Sequence, residues 1–178
     1  MTNLTLPKAI ESVFEKFHEP KPLFVALMPV LGEILKCDRV FLYARNPDTK
    51  VGIVPVCWRR SSDIPEVLDS DWKEEPASLT SEDPMFAAAV QTKPSIYVED
   101  VETASPDIVN REFEHSTFGH RALIHSHLCY ENQLWGILQP CIFGTSRPWS
   151  DFDRIVMSEV ETKLTPVVVK YIRDVKTT

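Results

Sequence analysis

The fold is decided by two adjacent runs, Arg121-Ala-Leu-Ile-His-Ser-His-Leu-Cys-Tyr130 and Leu134-Trp-Gly-Ile-Leu-Gln-Pro-Cys-Ile-Phe143. Apolar residues dominate both runs, and the polar segment Glu131-Asn132-Gln133 joins them. Two such runs around a short polar connection predict a β-hairpin. A hairpin makes the two strands antiparallel neighbours in a sheet.

A second hairpin is predicted nearer the N-terminus. Asp38 to Arg45 and Val51 to Trp58 are rich in apolar residues, and the turn signature Asn46-Pro47-Asp48 separates them. Ser95 to Val98 is predicted as a further short strand. Ser61 to Thr80 carries acidic residues and prolines and is predicted to be a long irregular excursion.

Helical spacing of apolar residues marks both ends of the chain. Pro7 to Glu19, Pro22 to Leu35 and Asp151 to Lys176 are predicted helices, and Ser150 with Asp153 is predicted to begin the last one. The overall order of elements predicts an α+β protein with a mainly antiparallel sheet and helices packed against it. Two short helices complete the prediction, Met85 to Gln91 and one beginning at Ser105.

Composition limits the possible functions. The 178 residues predict a single domain over 1–178, and the net charge of −7 argues against binding to nucleic acid or to an anionic membrane. No apolar stretch is long enough to cross a bilayer, and the first residues do not resemble a signal peptide, so a cytoplasmic location is expected. The four cysteines are scattered without a C-x-x-C pair, which predicts reduced thiols.

Four strings occur in a characteristic order, namely Cys37-Asp-Arg-Val-Phe-Leu-Tyr43, Val98-Glu-Asp-Val101, Asn132-Gln-Leu-Trp-Gly-Ile-Leu138 and Arg147-Pro-Trp-Ser150. Together they resemble the GAF domain family, most closely the GAF domains of phytochromes and cyanobacteriochromes. The resemblance covers a core at 20–176 and leaves 1–19 as an N-terminal helical extension. It implies an antiparallel sheet of about five or six strands, with the N- and C-terminal helices on one face and a loop-roofed pocket on the other.

In phytochrome-like members of the family, the pocket holds a linear tetrapyrrole that a thioether ties to a cysteine. The usual anchor is a Cys-His pair on a short helix ahead of the hairpin. The matching segment here, Asp107 to Ser116, contains His115 but no cysteine. The chain is therefore predicted not to form a covalent bilin adduct.

The string around His125 and His127 is the most unusual candidate site. Residues two apart on a strand share a face, so these imidazoles point the same way as Cys129. They could converge on one metal if His120 or Cys141 supplied a third ligand, or they could line a wet pocket. The resemblance places this strand, and the position of Cys141, toward the ligand.

The orientation of Cys141 depends on the length of the hairpin loop. A three-residue loop, Glu131 to Gln133, puts Cys141 opposite Leu123 and on the same side as His125, whereas a two-residue loop puts it on the far side. The ligand-binding set is therefore predicted as His125, His127 and Cys141, with three further candidates. Arg59 could clamp a carboxylate or propionate or lie in solvent, and Trp58 and Tyr97 could form a pocket wall or ordinary core.

The leading hypothesis is a stand-alone, non-catalytic sensory or regulatory domain of the GAF type. It would bind a small ligand or a protein partner and pass the result to another polypeptide through its terminal helices. One alternative is a non-covalent bilin or haem protein that uses His125, His127 and Cys141. Another is a free methionine sulfoxide reductase, for which Cys57, Cys129 and Cys141 offer thiols but the expected Gly-rich and Cys-containing strings are absent.

A homodimer through the terminal helices is also predicted. The last helix is apolar beyond one stripe, and the first helix adds a second apolar surface, so a monomer would expose a large patch. In the alternative arrangement, the first helix covers the last one within a single chain. The residues behind this prediction are Val13, Phe14, Phe17, Val156, Val160, Leu164, Val167, Val168, Tyr171 and Ile172.

Overall fold

A single antiparallel sheet organises the protein in the computed structural model, which describes residues 6–175. Its six strands lie in the order β3-β2-β1-β6-β5-β4, and every neighbouring pair runs antiparallel. The α+β class and the antiparallel sheet predicted from the sequence are confirmed. The strands are β1 (Arg39–Asn46), β2 (Val51–Arg59), β3 (Lys73–Glu74), β4 (Ile96–Val98), β5 (Ala122–Tyr130) and β6 (Gln133–Ile142).

Six helices flank this sheet among the described residues. The long helices pack on one face of the sheet, while three short ones lie in the connections between strands. No helix within residues 6–175 combines the length and hydropathy that crossing a membrane requires. The helices are α1 (Lys8–Lys16), α2 (Pro20–Leu35), α3 (Leu79–Glu82), α4 (Pro84–Val90), α5 (Arg111–Thr117) and α6 (Asp151–Val175).

The start of α6 is the predicted one. The Ser150 hydroxyl accepts a hydrogen bond from the Asp153 amide, and the Asp153 carboxylate accepts one from the Ser150 amide, which is a reciprocal capping box. Other boundaries differ, since α2 begins at Pro20 and the helix expected from Ser105 begins at Arg111. The predicted end of α6 at Lys176 lies outside the described residues.

The excursion from Ser61 to Thr80 is more ordered than predicted. It contains the two-residue strand β3, which pairs with the start of β2, and the first turn of α3. The sequence did not show this strand because two residues are too few for an alternating pattern. Through β3, this segment forms the edge strand of the sheet beside β2.

The β5–β6 connection is a two-residue turn rather than the predicted three-residue loop. Glu131 and Asn132 both adopt positive φ, at 50° and 59°, which is the backbone of a type I′ hairpin turn. Tyr130 pairs directly with Gln133 across this turn. With a regular ladder, such a turn would have placed Cys141 on the helix-covered face.

A β-bulge at Trp135 restores the other register. Leu134 pairs with Cys129, whereas Gly136 pairs with Leu128, so Trp135 is an additional residue without a partner on β5. Beyond the bulge, Cys141 lies opposite Leu123 and therefore on the same side of the sheet as His125. The three-residue loop and the turn with a bulge give the same parity, because each adds one residue to the connection.

The apolar surface invoked for a homodimer is largely covered within the chain. Of the seven α6 residues named for the dimer, six are buried and Val167 is half-buried. Helix α1 packs against α2, and its Ile10 and Val13 are buried there. The expected exposed patch is therefore not formed by these side chains, because α2 and the sheet already cover α6.

Candidate functional site

The candidate site lies on the face of the sheet opposite α2 and α6. Ser126 points toward the helices, where its hydroxyl donates to Glu161 of α6 over 2.5 Å. Strand alternation therefore turns the neighbouring His125 and His127 to the other face. Both imidazoles therefore lie on the predicted face, but of the two only His125 lines the cavity on that face.

A row of side chains crosses this face at the level of His125. Phe41 on β1 pairs with Gln139 on β6, and Ile96 on β4 pairs with His125 on β5. β5 and β6 keep one register on both sides of His125, and this register places Gln139 opposite it. Side chains so paired have Cβ atoms about 4.5–5.5 Å apart, so the row forms a continuous floor.

A cavity of about 280 Å³ stands on this floor and is partly covered by α3, α4, α5 and the segment around β3, with one side open to solvent. Its walls combine aromatic and aliphatic side chains with a charged group from the segment around β3, while His125 and Gln139 present polar groups from the floor and Asp83 from the wall. The charged group is Asp69, Lys73, Glu74 and Glu75. Such an apolar enclosure with a few convergent polar groups is the usual form of a small-molecule site. The apolar lining residues are Phe41, Tyr43, Val54, Leu79, Phe86, Phe113, Phe118 and Ile137.

The two histidines form a hydrogen-bonded chain whose direction can be assigned. Nδ1 of His127 lies 2.7 Å from the carbonyl oxygen of Lys93, which only accepts, so this nitrogen carries the proton. Burial lowers the pKa of His127, so the ring is neutral and its Nε2 accepts. Nδ1 of His125, at 2.8 Å from that Nε2, must therefore donate, which leaves Nε2 of His125 unprotonated.

The hydrogen bond between His125 and His127 weighs against the alternative in which they bind a metal ion. The nitrogens that face each other in His125 and His127 are already joined by a hydrogen bond. His120, one candidate for a third ligand, is bonded through Nε2 to Glu114 at 2.5 Å. Within residues 6–175, no group of three or more His, Cys, Asp or Glu side chains is arranged to hold a metal ion.

Cys141 lies on the predicted face but beneath the cavity rather than in its lining. Its thiol is fully buried and donates to the carbonyl oxygen of Gln139 over 3.5 Å. Above it lies Arg39, fully buried, whose guanidinium is 5.2 Å from the ring of Phe41 and 4.9 Å from that of Phe143. Cys141 is therefore packed under a layer of side chains that separates it from a ligand.

Arg39 is a residue that the sequence analysis missed. Its Nη1 donates to the carbonyl oxygen of Pro65 at 2.8 Å, and its Nε has no hydrogen-bond partner in the structure. An arginine at the start of a strand carries no local signal that it will be buried, because long-range packing of the 61–66 segment covers it. Its contacts indicate that it attaches this segment to the sheet.

Trp58 and Tyr97 correct the predicted pocket wall, because both lie on the helix-covered face. Trp58 packs against α2 at Gly32, where an added Cβ would lie 2.1 Å from the indole ring. Tyr97 lies under the guanidinium of Arg154 on α6, 4.2 Å from the ring centroid. Strand alternation assigns each to the face opposite its neighbours, and only packing shows which face the helices cover.

Arg59 also takes a different role from the predicted ligand clamp. Its Nη1 donates to the carbonyl oxygen of Ile64 at 2.8 Å, and Nη2 is 3.9 Å from the carboxylate of Glu66. The guanidinium thus holds the loop that follows β2, and the cavity lining does not include it. The loop uses the planar donor group that a ligand carboxylate would otherwise bind.

Asp83 is a second residue of the site that the sequence analysis did not assign. It was identified only as part of the helix start before Pro84, and it does cap α4 by accepting from the amides of Met85 and Phe86. The structure adds that it lines the cavity. Burial, and then the nearby carboxyl of Glu114, raise the pKa of Asp83 to about 7.

The arrangement of the sheet, the terminal helices and the roofed cavity can be compared with solved structures. The chain superposes with TM-scores of 0.64 to 0.70 on domains of one kind. The fold is that of a GAF domain. The chain matches no family model and no curated protein.

Three of the similar GAF structures illustrate the range of sequence identity, coverage and TM-score. The cyanobacteriochrome receptor PixJ is 21% identical, with 84% of this chain and 94% of that chain covered at a TM-score of 0.64. The GAF domain of Acinetobacter phosphoenolpyruvate-protein phosphotransferase is 10% identical, with 96% and 94% covered at 0.68. The phycoerythrobilin-bound GAF domain of a cyanobacterial phytochrome is 15% identical, with 93% and 94% covered at 0.70.

The GAF cavity of this chain contains no cysteine among its described lining residues. Helix α5, which occupies the position of the expected anchor helix, contributes Phe113 and Thr117 to the lining. The four cysteines lie elsewhere, Cys37 and Cys141 in buried positions and Cys57 and Cys129 in half-buried ones. The cavity thus offers apolar walls and hydrogen-bond acceptors but no thiol.

Proposed function

We propose that this chain is a non-catalytic sensory domain that binds a small molecule in the cavity over Gln139 and His125. The observation that carries the proposal is the floor of the cavity. Gln139 is 5% exposed, and its Oε1 has no hydrogen-bond partner in the structure. Leaving a buried polar atom unpartnered costs about 1–3 kcal/mol, and Gln139 is a lining residue of the cavity, so its amide is the group whose bonding a ligand would complete.

The cysteines support a binding role over thiol chemistry. A sulfoxide reductase needs an accessible thiolate, which requires a lowered thiol pKa. Burial instead raises the pKa of both Cys57 and Cys129. The two half-buried thiols are therefore held in the protonated, weakly nucleophilic form at neutral pH.

The size of the cavity favours a ligand smaller than a tetrapyrrole. Its volume of about 280 Å³ lies just below the range of about 300–1,000 Å³ for ligand pockets. A bilin or haem has four pyrrole rings and two propionates, and Arg59, the candidate partner for a propionate, is bonded to its own loop. A non-covalent tetrapyrrole thus has less support than a ligand of one or two rings.

We also propose that the domain passes its signal to a protein partner. A homodimer through the terminal helices is a further part of the proposal, and light scattering tests it. Since the α6 side chains are covered within the chain, a dimer would have to use the outer surfaces of α1 and α2, such as Val25, which is 66% exposed. A mass near 20 kDa rejects the dimer, and twice that mass supports it.

The ligand-binding proposal is tested with a variant that fills the cavity. Leu79→Trp places a larger side chain in the lining, whereas Ile108→Trp makes a similar change at an exposed position outside it. A library of one- and two-ring compounds is screened by saturation-transfer NMR against both variants and the parent protein. We expect bound compounds to be lost from Leu79→Trp and kept by Ile108→Trp. Binding that survives equally in both variants would contradict the proposal.

A further inference from the structure

We infer that the ligand of this cavity is a small planar molecule that donates hydrogen bonds and carries no anionic group. The inference rests on the proposed function and adds the chemical class of the ligand. Three independent features of the lining support it, which are the acceptors on the floor, the charges around the wall and the shape of the enclosure.

The floor presents hydrogen-bond acceptors. Oε1 of Gln139 is buried and unpartnered. Opposite it, Nε2 of His125 is left as a lone-pair acceptor, because the ring donates through Nδ1 to His127. Two acceptors on facing strands, about 5 Å apart at the backbone, suit a ligand with two neighbouring N–H donors.

The charged groups of the wall exclude an anion. The one basic residue in the described lining is Lys73, and its ammonium is paired with Asp69 at 2.7 Å. The buried guanidinium of Arg45 lies nearby but donates to the carboxylate of Glu75 at 2.6 Å. A carboxylate or phosphate in this cavity would therefore find no available cation, and desolvation without a partner is costly.

Asp83 gives the cavity a preference for a cationic ligand. Its carboxyl lines the wall, and both hydrogen bonds from the α4 amides go to Oδ1. None of the ion pairs found among the described residues joins Asp83 to a basic side chain. A ligand amidinium or amino group could bond to Oδ2 while its ring remains among the aromatic walls.

The enclosure limits the shape and size of the ligand. About 280 Å³ corresponds to roughly nine water molecules at about 30 Å³ each. The ring of Phe41 on the floor and that of Phe118 are nearly parallel, at an interplanar angle of 17°. Their centroids are 6.0 Å apart, so the two rings stack on each other and form one aromatic surface, against which a planar ring packs better than a branched aliphatic molecule.

Benzamidine, benzamide and benzoate make a matched set of probes for this inference. The three share one ring and one planar substituent but are cationic, neutral and anionic respectively. Dissociation constants are measured by titration NMR on the intact chain at low salt. We expect the order benzamidine, benzamide, benzoate, with benzamidine bound at least about tenfold more tightly than benzoate, because a charge-assisted hydrogen bond contributes about 1.5–3 kcal/mol.

Gln139→Leu removes the floor acceptor, and Gln133→Leu makes the same change at the exposed first residue of β6. We expect the first variant to weaken benzamidine about five- to tenfold and the second to leave it unchanged. Asp83→Asn, which keeps an oxygen for the α4 cap, provides a second test that does not depend on the sheet. It should weaken benzamidine more than benzamide.

The outcomes separate this inference from the proposed function. If benzoate binds more tightly than benzamidine, and the cavity-filling Leu79→Trp abolishes its binding, the cavity has a ligand but the inferred class is wrong. Equal affinities for benzamidine in the parent, Gln139→Leu and Asp83→Asn also overturn the class. If Leu79→Trp changes the affinity of no probe, the proposed function and the inference fail together.

Discussion

The two faces of the sheet differ in how completely their side chains are paired. The face under α2 and α6 is filled by aliphatic residues such as Leu42, Ile124 and Leu138, all fully buried. The opposite face buries Arg39 and Gln139, each with an unpartnered polar atom. Since an unpaired buried polar atom lowers stability, the helix face contributes more to stability than the cavity face, whose unpartnered atoms fit the proposed binding role.

Adjacent residues on β6 allow the sharpest test of this comparison. Leu138 points into the helix-face core, whereas Ile137 lines the cavity. We expect Leu138→Ala to lower the free energy of unfolding by about 3–4 kcal/mol and Ile137→Ala by about 2 kcal/mol, because the cavity already leaves Ile137 fewer packing partners. Urea denaturation measures both, and equal losses would show that the faces contribute equally.

The second test uses the pH dependence of stability. Burial raises the pKa of Asp83 from its ordinary value of 3.8 to about 7 in the folded protein, so the folded state binds this proton more tightly than the unfolded state. Its contribution is greatest below pH 4 and is lost as pH rises from 4 to 7. As pH is raised from 5 to 8, the stability of Asp83→Asn should therefore increase relative to that of the parent, on the order of 2 kcal/mol.

The variant is needed because other groups titrate in the same range. Burial raises the pKa of Glu114 to about 7, and this carboxyl is bonded to His120, while burial lowers the pKa of His125 and His127. The contributions of the two histidines are common to the parent and the variant and largely cancel in the difference. Glu114 interacts with Asp83, so the difference reports the ionisation of Asp83 together with its effect on Glu114. A parent-to-variant difference that stays constant from pH 5 to pH 8 would mean that Asp83 ionises normally.

A smaller effect is expected when the floor loses its polar group. The buried amide of Gln139 has an oxygen without a hydrogen-bond partner, and Gln139→Leu puts an apolar side chain of similar size in its place. Stability should therefore stay the same or rise by up to about 1 kcal/mol. Gln133→Leu at the exposed start of β6 should change stability by less than about 0.5 kcal/mol. A clear loss of stability in Gln139→Leu would identify Gln139 as a structural residue and not a binding one.

No effect at all is expected from co-expression with a bilin. Helix α5 has no cysteine and the described cavity lining has no thiol, so a covalent adduct should not form. Zinc-enhanced fluorescence of the denatured protein band measures adduct formation. A fluorescent band at the mass of the chain would refute the expectation and direct attention to Cys57 on β2.

Much of the fold followed from local patterns. The antiparallel hairpins and the capping box of α6 involve residues close in sequence, so their signals survive without tertiary information. The shared face of His125 and His127 followed from strand alternation alone. The register of Cys141 could not be derived in this way, because the bulge at Trp135 has no signal that distinguishes it from a longer loop.

By itself, the sequence determined the class of the fold, the pairing of the strands within the two hairpins and the relative sides of residues on one strand. Only the tertiary structure decided which side the helices cover, and this moved Trp58 and Tyr97 out of the site and brought Asp83 and Gln139 into it. The physical reason is how far apart in the sequence the interacting residues lie. Secondary structure follows from neighbours along the chain, whereas a cavity and its unpartnered atoms arise where segments far apart in sequence pack against one sheet.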